Sequence, residues 1–417
     1  MIQRPRGTRD LLPPETRLWR AVESVAHEVF SAFGGEEIRT PIFEHTDLFV
    51  RSVGETTDIV HKEMYTFPDR KGRSLTLRPE NTAGVARAWI ENRLQDRSHP
   101  LRLYYIGPMF RYERMQRGRF RQFAQIGLEI IGVDGPLADA ELLAALYEFL
   151  TRLGFSDLVI HLNNLGDPDD RPRYQEAIRS ALAPHRGELC GDCQRRLDEN
   201  PLRVLDCKVP RCQELAAAVP PVEAVASEGS RRHVDEVETQ LGRLEVPYLR
   251  NPRLVRGLDY YLRTVFEVVS PQLGAETVVC GGGRYDRLIA DLGGPAVPGV
   301  GFAVGEDRLV DVLPEGFKAT ALASPRLYLV PLGDAACRDV LSLARGWVRA
   351  GVSLEVEVSG RSLKSALKRA DRDGFAAVAI LGDDELAAGR VAVRDIRRGE
   401  QELIPAEQLP AWWRDRR

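Results

Sequence analysis

Two runs of strand-forming residues, 101–112 and 120–133, oppose each other across the arginine-rich stretch Arg114-Met115-Gln116-Arg117-Gly118-Arg119. An antiparallel hairpin of this length is marginal in isolation and needs further strands or helices to cover it. Alternate residues of a strand point to opposite faces. On the second strand Ala124, Ile126, Leu128 and Ile130 form an apolar face, while Arg121, Phe123, Gln125, Gly127 and Glu129 occupy the other. That other face carries a cation, an amide and a carboxylate around a glycine. It fits either a solvated sheet face with ordinary ion pairs or a face that reads a ligand, the glycine clearing side-chain bulk where a ligand meets the backbone. Arg111 and Glu113 sit at the mouth of the same hairpin.

The rest of the chain is consistent with a large sheet-based fold. The 417 residues suffice for two to four domains, and 43% hydrophobic with 29% charged residues is ordinary globular composition, neither disordered nor rod-like. No apolar run approaches the ~18 residues of a membrane span, and residues 1–10 carry no apolar stretch of signal-peptide type, so the expected setting is cytoplasmic, without a membrane partner. Lys+Arg 58 against Asp+Glu 61 leaves a net charge of −3. As a total this argues against a nucleic-acid partner, but five arginines (Arg111, Arg114, Arg117, Arg119, Arg121) stand against Glu113 at the hairpin tip, a local phosphate-binding patch.

Residues 15–33 show helical periodicity ended by Gly34-Gly35, and a strand is expected over 38–43. From about 170 to 245 the chain reads as a helical insertion. Strands resume at 265–270 and 276–280, followed by Gly281-Gly282-Gly283, a short helix from Tyr285 and a strand-to-helix step over 300–313. Beyond a boundary near 315–325, strands at 326–331, 353–358 and 376–381 alternate with helices at 335–350 and 362–372, the pattern of a small α/β domain with a largely parallel sheet. The expected fold is thus an α+β catalytic domain over 1–320 with a mixed, mainly antiparallel sheet and the insertion, then an α/β domain over 325–417.

Four of the six cysteines crowd together as Cys190, Cys193, Cys207 and Cys212. C-x2-C, thirteen residues, then C-x4-C is the two-knuckle spacing of a structural zinc site built from thiolates; the alternative is a set of reduced thiols without metal. In the C-terminal domain Arg361, Lys364, Lys368 and Arg372 share one helical face, either solvated or turned to nucleic acid. Trp412-Trp413 serve as packing residues or as a stacking platform for bases.

Several segments together resemble the class II aminoacyl-tRNA synthetases, and within them the histidyl-tRNA synthetase family. Arg39-Thr40-Pro41 with the helix after it resembles the dimer-forming first class motif. Phe110-Arg111-Tyr112-Glu113 through Gly118-Arg119-Phe120-Arg121-Gln122-Phe123 resembles the second, and residues 299–309 the third. Arg256-Gly257-Leu258-Asp259-Tyr260-Tyr261 and Gly281-Gly282-Gly283-Arg284-Tyr285-Asp286 resemble the histidine-specific signatures, and the C-terminal domain is similar to the family's anticodon-binding domain.

The resemblance implies activation of L-histidine with ATP and Mg²⁺ to histidyl-adenylate and pyrophosphate, transfer of the histidyl group to the 3′ end of tRNA(His), and a homodimer. It implies that Arg111 and Arg256 act on the α-phosphate and Arg308 on the γ-phosphate, with Glu113 and Arg121 as further ATP contacts. Glu80 and Thr82 resemble the residues that hold the α-amino group, Gln125 falls near the α-amino and carboxylate groups, and Arg111 and Arg256 also approach the amino acid. Glu129 and Tyr261 resemble readers of the imidazole nitrogens, with Tyr260 lining the pocket; Gln116 and Arg117 fall where the family meets its tRNA. Zinc is not implied by kinship. Asn81, Met115 and Asp307 depart from the expected pattern. The competing identity is the non-catalytic regulatory paralogue of ATP phosphoribosyltransferase in histidine biosynthesis, which usually lacks the C-terminal domain and loses catalytic motif residues. Here Glu80, Arg111, Glu113, Gln125, Glu129, Arg256 and Arg308 are all present.

Overall fold

The computed structural model describes residues 2–55, 57–97, 99–114, 118–270, 278–323 and 326–416, in two compact units, 1–321 and 322–417. The first is built on an eight-stranded sheet. In chain order its strands are β1 (Glu36–Glu37), then, after a separate three-stranded sheet of β2 (Phe43–His45), β3 (Tyr65–Pro68) and β4 (Ser74–Leu77), β5 (Leu101–Phe110), β6 (Gln122–Ile131), β7 (Val159–Asn164), β8 (Tyr248–Arg250), β9 (Leu262–Val269), β10 (Val278–Arg284) and β11 (Gly299–Gly305). The large sheet has the order β1-β5-β6-β11-β10-β9-β7-β8, antiparallel except for the parallel pairs β1–β5 and β7–β8.

One face of this sheet is covered by α1 (Glu15–Ala32), α4 (Pro136–Arg152) and α8 (Glu228–Arg243), with α2 (Thr46–Val53) and α3 (Thr82–Glu91) intervening in the chain order. Val22, Phe30, Leu142, Leu146, Phe149 and Val237 pack there on Ile126, Leu128, Ile130, Phe302 and Val304. The apolar positions of α1 recur at the three- and four-residue spacing that makes one helical stripe, which is why this segment is a helix and why it buries that side. The opposite face is covered by α3, by residues 254–261, and by the insertion, including α5 (Asp170–Leu182), α6 (Gly191–Glu199) and α7 (Pro210–Ala216). Although it belongs to the helical stretch expected over 170–245, α8 packs across the sheet from the other three.

Several details differ from the sequence expectation. No continuous strand spans 38–43; the chain forms β1 and β2 on either side of Pro41, which has no N–H to give a ladder. The triple glycine does not end a strand but lies inside β10, paired on both sides to β9 and β11. The polar face of β6 is not solvated, since Gln125 and Glu129 are both buried.

After α9 (Leu288–Asp291), α10 (Glu306–Asp311) and α11 (Glu315–Leu322), the second unit carries β12 (Leu327–Leu332), β13 (Leu354–Val356) and β14 (Ala377–Gly382) as parallel neighbours, joined by α12 (Asp334–Arg349) and α13 (Leu363–Arg372). Two further strands, β15 (Arg390–Asp395) and β16 (Gln401–Pro405), add antiparallel pairs that periodicity did not bring out. Trp413 is buried in this unit's core, a packing role, and Arg416 stacks over Trp412.

Candidate active site

Strand pairing brings the hairpin's polar face and the glycines into register. Glu129 on β6 lies opposite Gly301 on β11, and Gly301 opposite Gly283 on β10. One step along the sheet, Tyr105, Gly127, Ala303, Gly281 and Glu267 form the next row. Side chains at these positions project to the same side, and the glycines leave hollows between the others.

The hollows are filled by the site's own groups. A Cβ on Gly301 would collide with the Glu129 carboxylate, and one on Gly127 with the Tyr105 ring. The Arg256 guanidinium lies over Gly281, with Cζ only 2.6 Å from where a Cβ would stand, and the Tyr261 ring lies 2.8 Å from the same position at Gly283. The glycine triplet thus lets Arg256 and Tyr261 settle onto the sheet. Arg256 also pairs with Glu267 in the same row.

Glu129 is fully buried, and its described hydrogen-bond partners are hydroxyls. Thr82 Oγ1 donates to Oε1 at 2.7 Å, Tyr285 OH to Oε2 at 2.6 Å, and Tyr105 OH lies 3.5 Å from Oε1. Burial is the largest influence on this carboxyl and pushes it up to about 8; the hydrogen bonds from Tyr285 and Thr82 offset that only in part. Near neutral pH Glu129 therefore keeps a proton and holds both a donor and an acceptor. Burial likewise raises Tyr261, to about 12, so its phenol stays protonated. Tyr260 packs edge-on against both Tyr261 and Tyr285, with ring centroids 4.6 and 5.9 Å away.

Glu80 has a dual place. Its Oε2 accepts from Thr82 N at 2.7 Å and its Oε1 from Ala83 N at 3.1 Å, so it caps α3 from one residue before the usual capping position. Burial pushes its carboxyl up as well. Asn81, between Glu80 and Thr82, turns away: its Oδ1 accepts from Thr40 Oγ1 at 2.5 Å and from Arg78 Nη1 at 3.2 Å. Its extra bulk is absorbed outside the cluster. Gln125 is buried with Oε1 lacking a hydrogen-bond partner among the described residues, an arrangement that costs free energy until something donates to it.

The cations form a half-open rim. Arg111 donates from Nε to Pro79 O at 2.8 Å and lies over Phe123, with Nη1 3.8 Å from Glu113 Oε1. Glu113 also accepts from Arg119 at 3.1 Å. Arg308, on the first turns of α10, packs against Gly118; burial and then the nearby Arg119 push its guanidinium down, against the pull of Glu113 and Glu267. Arg121 stacks over Tyr112 with its guanidinium 3.6 Å from the ring centroid. A cleft of about 500 Å³ lined by Gly118, Val278, Arg308, Asp311 and Lys318 flanks this rim and contains none of the Glu129 cluster. Gln116 and Arg117 lie outside the described residues, as does Met115.

Sequence reading overlooked Tyr105, which a signal could have revealed: it faces Gly127 across the hairpin, visible once the register is known. It also left Tyr285 without a role. Asp307 turns out to be a strut, its Oδ2 accepting from Ala124 N at 2.8 Å and its Oδ1 from Arg9 at 2.9 Å.

A family model described as histidyl-tRNA synthetase matches residues 7–166 and 202–309, and one described as anticodon binding domain matches 326–416. Histidine–tRNA ligase of Solibacter usitatus is 49% identical over 412 residues, covering 99% of this chain and 98% of the relative. The Desulfitobacterium hafniense protein of the same name is 48% identical over 410 residues, covering 98% and 96%. The apo structure of S. aureus histidyl-tRNA synthetase superposes with a TM-score of 0.82 at 38% identity, covering 99% of this chain and all of the other. No described helix is long and apolar enough to cross a membrane.

Proposed function

The chain belongs to the histidyl-tRNA synthetase family, and we infer from that membership and from the buried Glu129 cluster that it is a histidine–tRNA ligase working in the cytoplasm on L-histidine, ATP and tRNA(His). The observation that carries the reading is a fully buried carboxyl touched by hydroxyls, one sheet row from the Arg256 guanidinium; burial pushes that carboxyl up. Imidazole offers one N–H and one bare nitrogen, which Glu129 and the Tyr261 phenol match as acceptor and donor. An amino acid lacking those nitrogens leaves the pocket's groups unpaired, a discrimination on the order of 10⁴-fold.

Glu80 receives the α-amino group through lone pairs that the α3 cap leaves free, with Thr82 beside it. Gln125, whose Oε1 has no hydrogen-bond partner among the described residues, is assigned to the α-amino and carboxylate groups, and Tyr260 to the pocket wall. Arg111 and Arg256 then bring the histidine carboxylate and the ATP α-phosphate together, two anions that repel in water. A carboxylate oxygen attacks the α-phosphorus, the bond to the bridging oxygen breaks, and pyrophosphate leaves. Arg308 holds the γ-phosphate, while Glu113 and Arg121 contact the nucleotide. Family members use ATP with Mg²⁺, which supplies charge to the phosphates; Glu113 and Glu267, hard oxygen donors among the arginines, are suited to hold it. The terminal ribose hydroxyl of the tRNA next attacks the histidyl carbonyl and AMP departs. Gln116 and Arg117 of the hairpin tip meet the acceptor end, and the unit matching the anticodon-binding model meets the anticodon. The presence of that unit and of every rim arginine argues against the regulatory paralogue. A homodimer is supported by Ile42 and Phe43, apolar and exposed beside the segment resembling the first class motif.

Histidine-dependent exchange of labelled pyrophosphate into ATP tests the reading. Activity is expected with histidine and none with phenylalanine, and Arg256→His is expected to cut it severely without loss of fold. Histidine binding with no exchange at all would return the chain to the regulatory class.

A further inference from the structure

The synthetase reading assigns no part to the four cysteines of the insertion, yet the fold gathers them. Their Sγ atoms all lie within 4.8 Å of one another, three of the four residues being buried and Cys190 half-buried. Cys190 and Cys207 sulfurs are 3.9 Å apart. Thiolates around one zinc at about 2.3 Å each stand about 3.8 Å from one another, the edge of a tetrahedron. A disulfide would instead draw two of them to about 2 Å. Main-chain N–H groups point at the sulfurs: Cys190 N donates to Cys212 Sγ at 3.2 Å and Val209 N to Cys207 Sγ at 3.5 Å, the kind of support that stabilises ligating thiolates.

What these cysteines enclose gives the cluster a purpose. Residues 194–206, strung between Cys193 and Cys207, carry Asn200 and Arg203. Asn200 Nδ2 donates to Asp259 Oδ1 at 2.9 Å, and Arg203 Nη1 donates to the carbonyl of Arg256 at 3.0 Å. Leu197, Leu202 and Val204 of the same stretch share a core with Val255, Tyr260 and Tyr261. The segment bearing Arg256 and Tyr261 is a loop with no strand ladder of its own over 254–260; Asn163, Arg171 and Val53 hold it at Leu254 and Asp259, and the knuckle adds the contact to the Arg256 carbonyl and a second hold on Asp259.

We propose that Cys190, Cys193, Cys207 and Cys212 bind one structural zinc ion, and that the metal fixes the 194–206 stretch so that Asn200 and Arg203 act as positioning residues for the Arg256–Tyr261 loop. Binding releases the thiol protons still present and changes no oxidation state. The metal assignment stands independently; its link to histidine affinity rests on the synthetase reading above.

Full-length protein purified under reducing conditions is expected to hold one zinc per chain by mass spectrometry of the metal. Exchange for cobalt is expected to give the intense visible and thiolate charge-transfer bands of a tetrahedral all-sulfur site. Chelation of zinc from the wild-type chain is expected to raise KM for histidine about tenfold with kcat changed much less, zinc restoring it. Asn200→Ala is expected to reproduce the KM shift with its zinc retained. Folded protein that contains no metal and takes up no cobalt overturns the site, whether its thiols titrate as four free groups or as disulfides. Metal bound at unit stoichiometry with KM unmoved by its removal overturns the positioning role. Absence of pyrophosphate exchange in zinc-loaded protein would strike the synthetase reading and leave the metal site standing.

Discussion

Two fully buried carboxyl groups, one on a strand of the large sheet and one on a helix packed against it, meet opposite fates. Asp139, on α4, faces the guanidinium of Arg284, itself fully buried at the end of β10, with 2.6 Å between Oδ2 and Nη2. His233 Nε2 lies 3.2 Å from its other oxygen. Burial pushes Asp139 up, but the His233 hydrogen bond and the Arg284 charge outweigh it and hold the carboxyl at about 2. Glu129, equally buried, is met by neutral hydroxyls and rises to about 8. The first is a closed ion pair that ties α4 and α8 to β10; the second is an acid kept neutral, open to a partner. Burial alone does not distinguish structure from function. The charge of the partner does.

Breaking the closed pair should have the largest effect. Arg284→Met leaves Asp139 buried with only His233 beside it, and urea unfolding should register a loss of about 3–5 kcal/mol; a loss below about 1 kcal/mol would show that the pair contributes no more than a surface bridge. Glu129→Gln keeps a neutral, hydrogen-bonding group of similar size and removes a carboxyl that resists ionisation in the fold, so stability near pH 7 should not fall and should rise, while kcat/KM for histidine in the exchange reaction falls about 10²–10³-fold, or ~3–4 kcal/mol. Equal damage to stability and activity would erase the contrast between the two sites.

Titration sharpens the contrast because the signs are opposite. Asp139 is lowered from the ordinary 3.8, so its stabilisation is present above pH 4 and disappears as pH falls toward 2. Glu129 is raised from 4.5, so folding is favoured by its proton below pH 4.5, and that contribution is lost as pH rises through 8. Relative to wild type, Glu129→Gln should gain stability between pH 5 and pH 8.5, on the order of a few kcal/mol, and a flat difference across that window would refute the raised carboxyl. The smallest effect is expected from Gly281→Ala, whose new methyl meets the flexible end of Arg256 at 2.6 Å rather than backbone. The exchange rate should drop about tenfold, ~1.4 kcal/mol, with the melting temperature nearly unchanged.

How far each site was legible follows from the kind of interaction that builds it. Glu129 stood out because strand alternation put it on the face of Gln125 and Gly127, a purely local signal. Arg256 and Arg308 were legible through motif resemblance, since neither lies near the hairpin in sequence. Asp139 gave no sign at all, because its partners are 94 and 145 residues away and a lone acid in an apolar helix reads as solvent-facing. The glycine triplet misled, as glycine in sequence suggests a turn, whereas here the cross-strand packing of Glu267, Val265, Gly301 and Ala303 overrides the poor strand preference of glycine. The short strands β1 and β2 were blurred by Pro41, and β15 and β16 by residues without clear alternation.

The stretch of sheet on which Arg256, Tyr261 and Glu129 rest, Gly281 and Gly283 on one strand and Gly301 and Gly305 on the next, has a thermodynamic side. Main chain locked into a ladder has no rotamers to lose when a substrate arrives, so the glycines themselves add no ordering entropy to binding. That entropy was surrendered earlier, when four unusually supple residues were drawn into strands as the protein folded. Affinity for a small amino acid is in this sense stored in the unfolded chain's freedom, spent long before any ligand is present.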